Sequence, residues 1–280
     1  MVYIIVLNFN NPDITIECLE SIKCLLFEEY QIILVDNASN DNSVEIFNQY
    51  LKRNKNIIFL EAEKNLGYAS GNNIALKYAL ERKDMKYCWI LNNDTIVDKN
   101  ALSKLYEFME CHDEIGICGS KLIYDWDRSK IQGYGGFYDP VLSSPSICKD
   151  IGMINNIDYV IGASVFIRRE FLQDIGLMCE EYFLYYEELD WAERAKGKYK
   201  ISCVPESVVY HKEGASMGSG NDISYYYLWR SRLLFAKKFN KKYFPILYLI
   251  MIYRVFKNII LGRYKRVWMN IKLMFKVQFL

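Results

Sequence analysis

The sequence predicts an α/β fold: a mostly parallel sheet flanked by helices, followed by a helical tail of different character. Three observations carry this. Apolar runs rich in β-branched residues alternate with stretches whose apolar residues recur every three or four positions, the pattern of βαβ units. Polar residues cluster where the apolar runs end, the edge at which open α/β sheets bind ligands. The charge is also divided, since a net +1 over 280 residues hides a stretch, 223–280, with thirteen Lys and Arg and no acid. Residues 1–222 are acidic, with 34 Asp and Glu against 22 Lys and Arg, which argues against nucleic-acid binding.

Residues 2–7 read as a strand buried on both faces. Pro12 suits a first helical position, and Ile16, Leu19, Ile22 and Leu26 follow at helical spacing. Residues 32–35 form a second strand ending on Asp36, and a helix capped by Ser43 comes next. A third strand spans 57–60, after which the loop 65–72 opens a helix reaching Leu80. A fourth spans 87–91, with a helix over 98–111. Residues 119–157 offer only turn signals and short strands, 159–168 read as a strand or strand-turn, and 201–209 as a strand leading to His211. The eight cysteines contain no C-x-x-C pair and read as reduced, mostly buried thiols. The apolar N-terminal run is too short for a signal peptide and lacks a basic flank, so a cytoplasmic protein is expected.

Several clusters offer chemistry beside a plainer structural reading. Asp36 can hold a nucleotide hydroxyl, or serve the turn chemistry of residues 37–43. Gly67 and Gly71 let backbone amides approach a phosphate at a helix N-terminus. Asp94, after Asn92 and Asn93, can ligate Mg2+ or Mn2+, or cap a helix. Glu187, Glu188 and Asp190 stand among aromatic residues, a setting suited to proton transfer; alternatively they are first-turn acids, with Arg194 spaced to pair with Asp190. His211 either joins Asp94 at a metal or is a core histidine, and His112 reads as a cap or surface residue.

Taken in order, these segments resemble family 2 glycosyltransferases of GT-A fold, closest to a bacterial rhamnosyltransferase-like branch that builds surface polysaccharide. The likeness rests on Val6-Leu7-Asn8-Phe9-Asn10, Val35-Asp36-Asn37-Ala38-Ser39, Asn65-Leu66-Gly67-Tyr68, Gly71-Asn72, Leu91-Asn92-Asn93-Asp94, Gly162-Ala163, the stretch 183–190 with Arg194, and His211 with Ser216. The resemblance implies that Asn8, Asp36, Asn65, Gly67, Gly71, Asn72, Asn92 and Asn93 handle the nucleotide of a UDP- or dTDP-sugar, dTDP-rhamnose being favoured. It implies a cation, Mn2+ or Mg2+, at Asp94 and His211. It makes Glu188 the base of an inverting transfer to a glycan or lipid-linked acceptor, with Glu187, Asp190 and Arg194 in support. Asn92 departs from the first acid of the family's D-x-D motif, and Glu188 stands where Asp is usual. A nucleotidyltransferase would want a basic, glycine-rich loop after the first strand; a non-catalytic nucleotide-sugar-binding module is the other alternative.

In the tail, residues 243–253 are uncharged and apolar, short of the roughly 20 residues that span a bilayer. Continuing outward meets Arg254 and Lys257. The tail, 223–280, is therefore expected to lie on an anionic membrane surface, the inner face of the cell membrane. The competing expectation is a helical hairpin packed on the domain 1–222 or on a second subunit of a homodimer.

Overall fold

The computed structural model describes residues 1–212 and 222–276. Its first half is a run of βαβ units: β1 (Val2–Asn8), α1 (Pro12–Ile22), β2 (Tyr30–Asp36), α2 (Ser43–Leu51), β3 (Ile57–Glu61), α3 (Tyr68–Leu80) and β4 (Tyr87–Asn92). These strands lie parallel in the order β3–β2–β1–β4. Their apolar runs are continuous because helices cover both faces. Val2, Ile4 and Val6 pack with Leu19, Ile22 and Phe47 on one side, and Tyr3 and Ile5 with Leu76 on the other. Register makes the ends flush, with Asn8 opposite Asp36 and Leu7 opposite Asn92. The helix after β2 begins at Ser43 itself, and the Ser43 hydroxyl donates to Asp41 rather than capping.

The second half adds β5 (Thr95–Val97), α4 (Ala101–Cys111), β6 (Ile115–Tyr124), β7 (Ile131–Gly133), the hairpin β8 (Gly135–Asp139) and β9 (Ser144–Cys148), β10 (Ser164–Arg168), α5 (Arg169–Ile175), α6 (Glu187–Ala195) and β11 (Lys200–His211). Here the sheet turns mixed. β10 runs antiparallel between β4 and β6, β11 lies parallel to β6, and β5 closes the edge antiparallel to β11. Because β10 enters from the carboxyl ends of the parallel strands, Gly162 and Ala163 arrive beside Asn92, whose N–H donates to the Ala163 carbonyl (3.1 Å). Of the cysteines, five are buried, while Cys24 and Cys111 are exposed and Cys179 half-buried; all are free.

The tail consists of α7 (Asp222–Phe239), α8 (Phe244–Ile260) and α9 (Tyr264–Lys276). The charge boundary near 222 is not a packing boundary. Leu234 and Phe235 of α7 pack with Tyr159, Tyr182, Tyr186 and Leu189, so α7 belongs to the body. α8 and α9 pack instead on α7, through Trp229, Leu233, Leu247, Met251 and Leu273. Their outer faces expose Leu249, Tyr253, Phe256 and Trp268. The helical stretch Lys241–Ile260 is long and apolar enough, by length and composition, to cross a membrane, a longer segment than the uncharged run suggested.

Candidate active site

The strand ends form a braced floor. Asn8 Nδ2 donates to Asp36 Oδ1 (2.8 Å), Ser39 donates to both Asp36 oxygens (Oγ to Oδ1, 2.6 Å; N to Oδ2, 2.9 Å), and Thr15 Oγ1 donates to Asn8 Oδ1 (2.7 Å). Asn93 Nδ2 extends the network to Thr15 Oγ1 (2.9 Å). Asn8 and Asp36 are buried within it. Expected at the nucleotide, they bond to one another, to Ser39 of the loop after β2 and, for Asn8, to Thr15 of α1. The neighbour that does line the crevice is Asn37, with Phe9, Asn65, Tyr68, Asn92 and Asn93. Asn37 Nδ2 donates to Asn65 Oδ1 (3.2 Å) and to the Gly67 carbonyl (3.2 Å), while the buried Oδ1 atoms of Asn37 and Asn92 have no partner among the described residues. Buried amide oxygens left unpaired are costly, and here they border open space.

Both glycines stand where the chain packs too closely for a side chain, and Gly67 also lines the crevice. Gly67 has φ +99°, and a Cβ there would stand 2.2 Å from the Phe183 carbonyl oxygen, which already accepts the Tyr68 N–H (2.9 Å). A Cβ on Gly71 would meet Leu7 Cδ1 at 2.6 Å. Asn72 is likewise interior, donating to the Tyr68 carbonyl (3.0 Å).

Asp94 and His211 meet because β5 pairs with the end of β11, His211 opposite Thr95. His211 Nε2 lies 3.2 Å from Asp94 Oδ1, and its Nδ1 lies 2.9 Å from Gln132 Oε1. An amide oxygen only accepts, so Nδ1 carries a proton toward Gln132, which fixes the ring with Nε2 facing the carboxylate. A carboxylate oxygen and an imidazole nitrogen facing one another are ligand types that could hold a divalent cation between them. No cluster of three or more His, Cys, Asp or Glu side chains exists among the described residues, so the remaining ligands would come from the donor.

The acids arrive on a strained turn. Tyr185 and Tyr186 both have positive φ, 70° and 75°, costing about 1–3 kcal/mol each. Burial of the Tyr186 ring and its hydroxyl bond to the Ser143 carbonyl (2.7 Å) hold the turn. Glu187 and Glu188 thereby open α6. A Cβ on Gly162 would fall 1.7 Å from Glu188 Oε1, so the carboxylate rests where a side chain is missing. Burial raises the pKa of Glu188, opposed by hydrogen bonds from the backbone at 188 and 162. Burial raises Glu187 further, the Glu188 charge adding to it, and its Oε1 has no partner among the described residues. Glu188, Glu187, Gly162, His211, Tyr185 and Leu228 line a cavity of about 270 Å3. It shares Tyr68, Asn92 and Leu184 with the crevice lined by Asn37, giving one trough.

Asp190 does not face this trough. Fully buried, it takes Arg194 Nε (2.6 Å), Lys238 Nζ (2.6 Å) and the Tyr182 hydroxyl (3.1 Å). Arg194 also donates to the carbonyls of Ile175 and Leu177 (2.6 and 2.8 Å). Of the three residues expected in support, Asp190 and Arg194 therefore anchor α6, while Glu187 lines the trough. Sequence reasoning missed Asn37, Gly162 and Gln132 as site residues. An isolated glycine in a strand pattern was a usable signal of close approach, whereas nothing in the sequence linked Gln132 to His211. Ser216 lies outside the described residues.

The glycosyl transferase family 2 model matches residues 3–176. A hexosyltransferase of low-salt glycan biosynthesis from Haloferax volcanii, Agl10, is 23% identical over 180 residues, 59% of this chain and 53% of the relative. The chain spans about half the length of the curated relatives it matches. Staphylococcus aureus TarS 1-349 in complex with UDP-GlcNAc superposes with TM-score 0.57 at 20% identity, covering 83% of this chain and 65% of that one. The mannosyltransferase PcManGT from Pyrobaculum calidifontis, solved with GDP-Man and Mn2+, gives 0.60 at 12%, covering 98% and 84%. The fold is that of GT-A glycosyltransferases. This chain belongs to glycosyl transferase family 2.

Proposed function

We propose that the protein is an inverting glycosyltransferase, moving a sugar from a UDP- or dTDP-linked donor to a hydroxyl of a glycan or lipid-linked acceptor. Surface polysaccharide synthesis is the setting, and dTDP-rhamnose is the donor favoured by sequence resemblance. The supporting observation is the single trough lined by both Glu188 and His211, the latter 3.2 Å from Asp94. Asn37, Asn65 and Asn92 orient the nucleotide beneath Phe9 and Tyr68. Mn2+ or Mg2+ held by Asp94 and His211 would offset charge on the leaving diphosphate. Glu188 takes the acceptor's hydroxyl proton while the hydroxyl oxygen attacks the anomeric carbon from the far side. Because its pKa is raised above the ordinary 4.5, activity falls on the acid side through that raised value.

The apolar outer faces of α8 and α9, set in a tail rich in cations, support attachment to an anionic membrane surface. The experiment is donor hydrolysis across a panel of nucleotide sugars with and without Mn2+. One donor should be consumed slowly without acceptor, and Asp94→Ala should abolish the Mn2+ response. A protein that binds nucleotide sugars but hydrolyses none, with or without acceptor, is a binding module instead. For the tail, L249S/F256S should lose binding to phosphatidylglycerol vesicles; unchanged binding refutes the attachment.

A further inference from the structure

We propose that the basic cleft where α8 turns into α9 holds the phosphate of a lipid-linked acceptor, an inference that rests on the membrane-surface reading above. The cleft, about 610 Å3, is lined by Asp222, Gly262, Arg263, Tyr264, Lys265 and Arg266. Three cations face one carboxylate. Asp222 gathers two of them, Oδ1 taking Arg266 Nε at 2.9 Å and Oδ2 taking Lys265 Nζ at 3.1 Å. Arg263 makes no ion pair among the described residues, which leaves the cleft an excess of positive charge. Guanidinium and ammonium donors converging in this way suit phosphate oxygens.

Exposed apolar side chains decide which phosphate. Tyr264, which lines the cleft, is 67% exposed, and Ile260 and Trp268, two residues to either side of the lining segment 262–266, are 84% and 72% exposed. A free anion gains nothing from such neighbours, whereas an amphiphile buries its first chain carbons against them. Location ties the cleft to the reaction. Asp222 begins the same helix whose Leu228 lines the trough beside Glu188, six residues or about 9 Å along the axis. One helix thus joins the cleft to the trough that holds Glu188.

The test uses the full chain and its R263Q/K265Q variant, both positions being exposed. Binding is compared between phosphatidylcholine vesicles carrying polyprenyl monophosphate and vesicles of equal charge carrying phosphatidylglycerol. The wild type should prefer the polyprenyl phosphate by about tenfold or more, and the variant's ratio should fall to near one while donor hydrolysis is unchanged. The control K241Q/K242Q should weaken both bindings and keep the ratio. No preference in the wild type, or an unchanged ratio in R263Q/K265Q, overturns the site. Competition by inorganic phosphate as effective as the lipid overturns the lipid assignment. Failure to bind any anionic vesicle sinks the membrane reading itself, which is a separate outcome.

Discussion

The two halves of the trough are built on opposite principles. On the nucleotide side, Asn8, Asp36, Ser39 and Thr15 satisfy one another across the ends of parallel strands, giving a floor rigid before any ligand arrives. On the side proposed for the acceptor, Glu187 is buried with an unpaired oxygen among the described residues, Glu188 is half-buried beside it, and the segment carrying them is held from outside by α7. Arg230 donates to the Glu181 carbonyl (2.7 Å), Ser231 to the Leu184 carbonyl (2.8 Å), and Lys238 to Asp190 (2.6 Å). Tyr227 stacks on Phe183 at 4.3 Å. One side is preorganised by its own polar groups; the other is kept reactive and clamped by a helix far along the chain. Buried, underpaired acids cost stability, and Glu188 is the group to which the proposed reaction assigns proton transfer.

The comparison breaks most visibly at Glu188. Glu188→Gln should lower turnover about 10²–10⁴-fold while nucleotide affinity, measured by titration calorimetry, stays unchanged; equal loss of both would mean that the halves are not separable. Gly162→Ala comes next. Its Cβ claims the place of the Glu188 carboxylate, and a displacement on the order of 1 Å costs about 10²-fold, again in turnover rather than nucleotide binding. Lys238→Met removes one of two cations from a fully buried carboxylate. It should cost about 1–3 kcal/mol, read as a lowered melting temperature and a reduced turnover.

The smallest effect sharpens the contrast through pH. Glu187 has a pKa raised well above 4.5, so the folded state binds more protons than the unfolded one above that value. Stability then falls as pH rises from about 4.5 through the raised pKa. Glu187→Gln should flatten that decline in the melting temperature, whereas Asn8→Ala should lower the whole curve without changing its slope.

What the sequence made legible follows the same division. Parallel strands buried on both faces leave unbroken apolar runs, and flush register turns their polar ends into a visible row, so Asn8, Asp36 and Asn92 could be grouped before any coordinates. Even there, which of them lines the crevice was illegible: one residue separates the interior Asp36 from the lining Asn37. The antiparallel half was harder. β6 contains Gly116 and Gly119 and passes into short strands, which blurs its periodicity, and β5 is only three residues long. The packing of α7 was hidden because charge, not hydrophobic spacing, dominated the reading of residues 223–280.

The short β5–β11 pairing has a consequence for synthesis of the protein. Asp94 emerges from the ribosome well before His211, and the helix that clamps the carboxyl groups follows later still. Because β11 and α7 belong to the same folding unit as the first strands, and domains fold as units, an N-terminal fragment lacks His211 beside Asp94 and the helix that holds the segment of Glu187 and Glu188. On the function proposed above, a stalled chain would leave activated donor untouched.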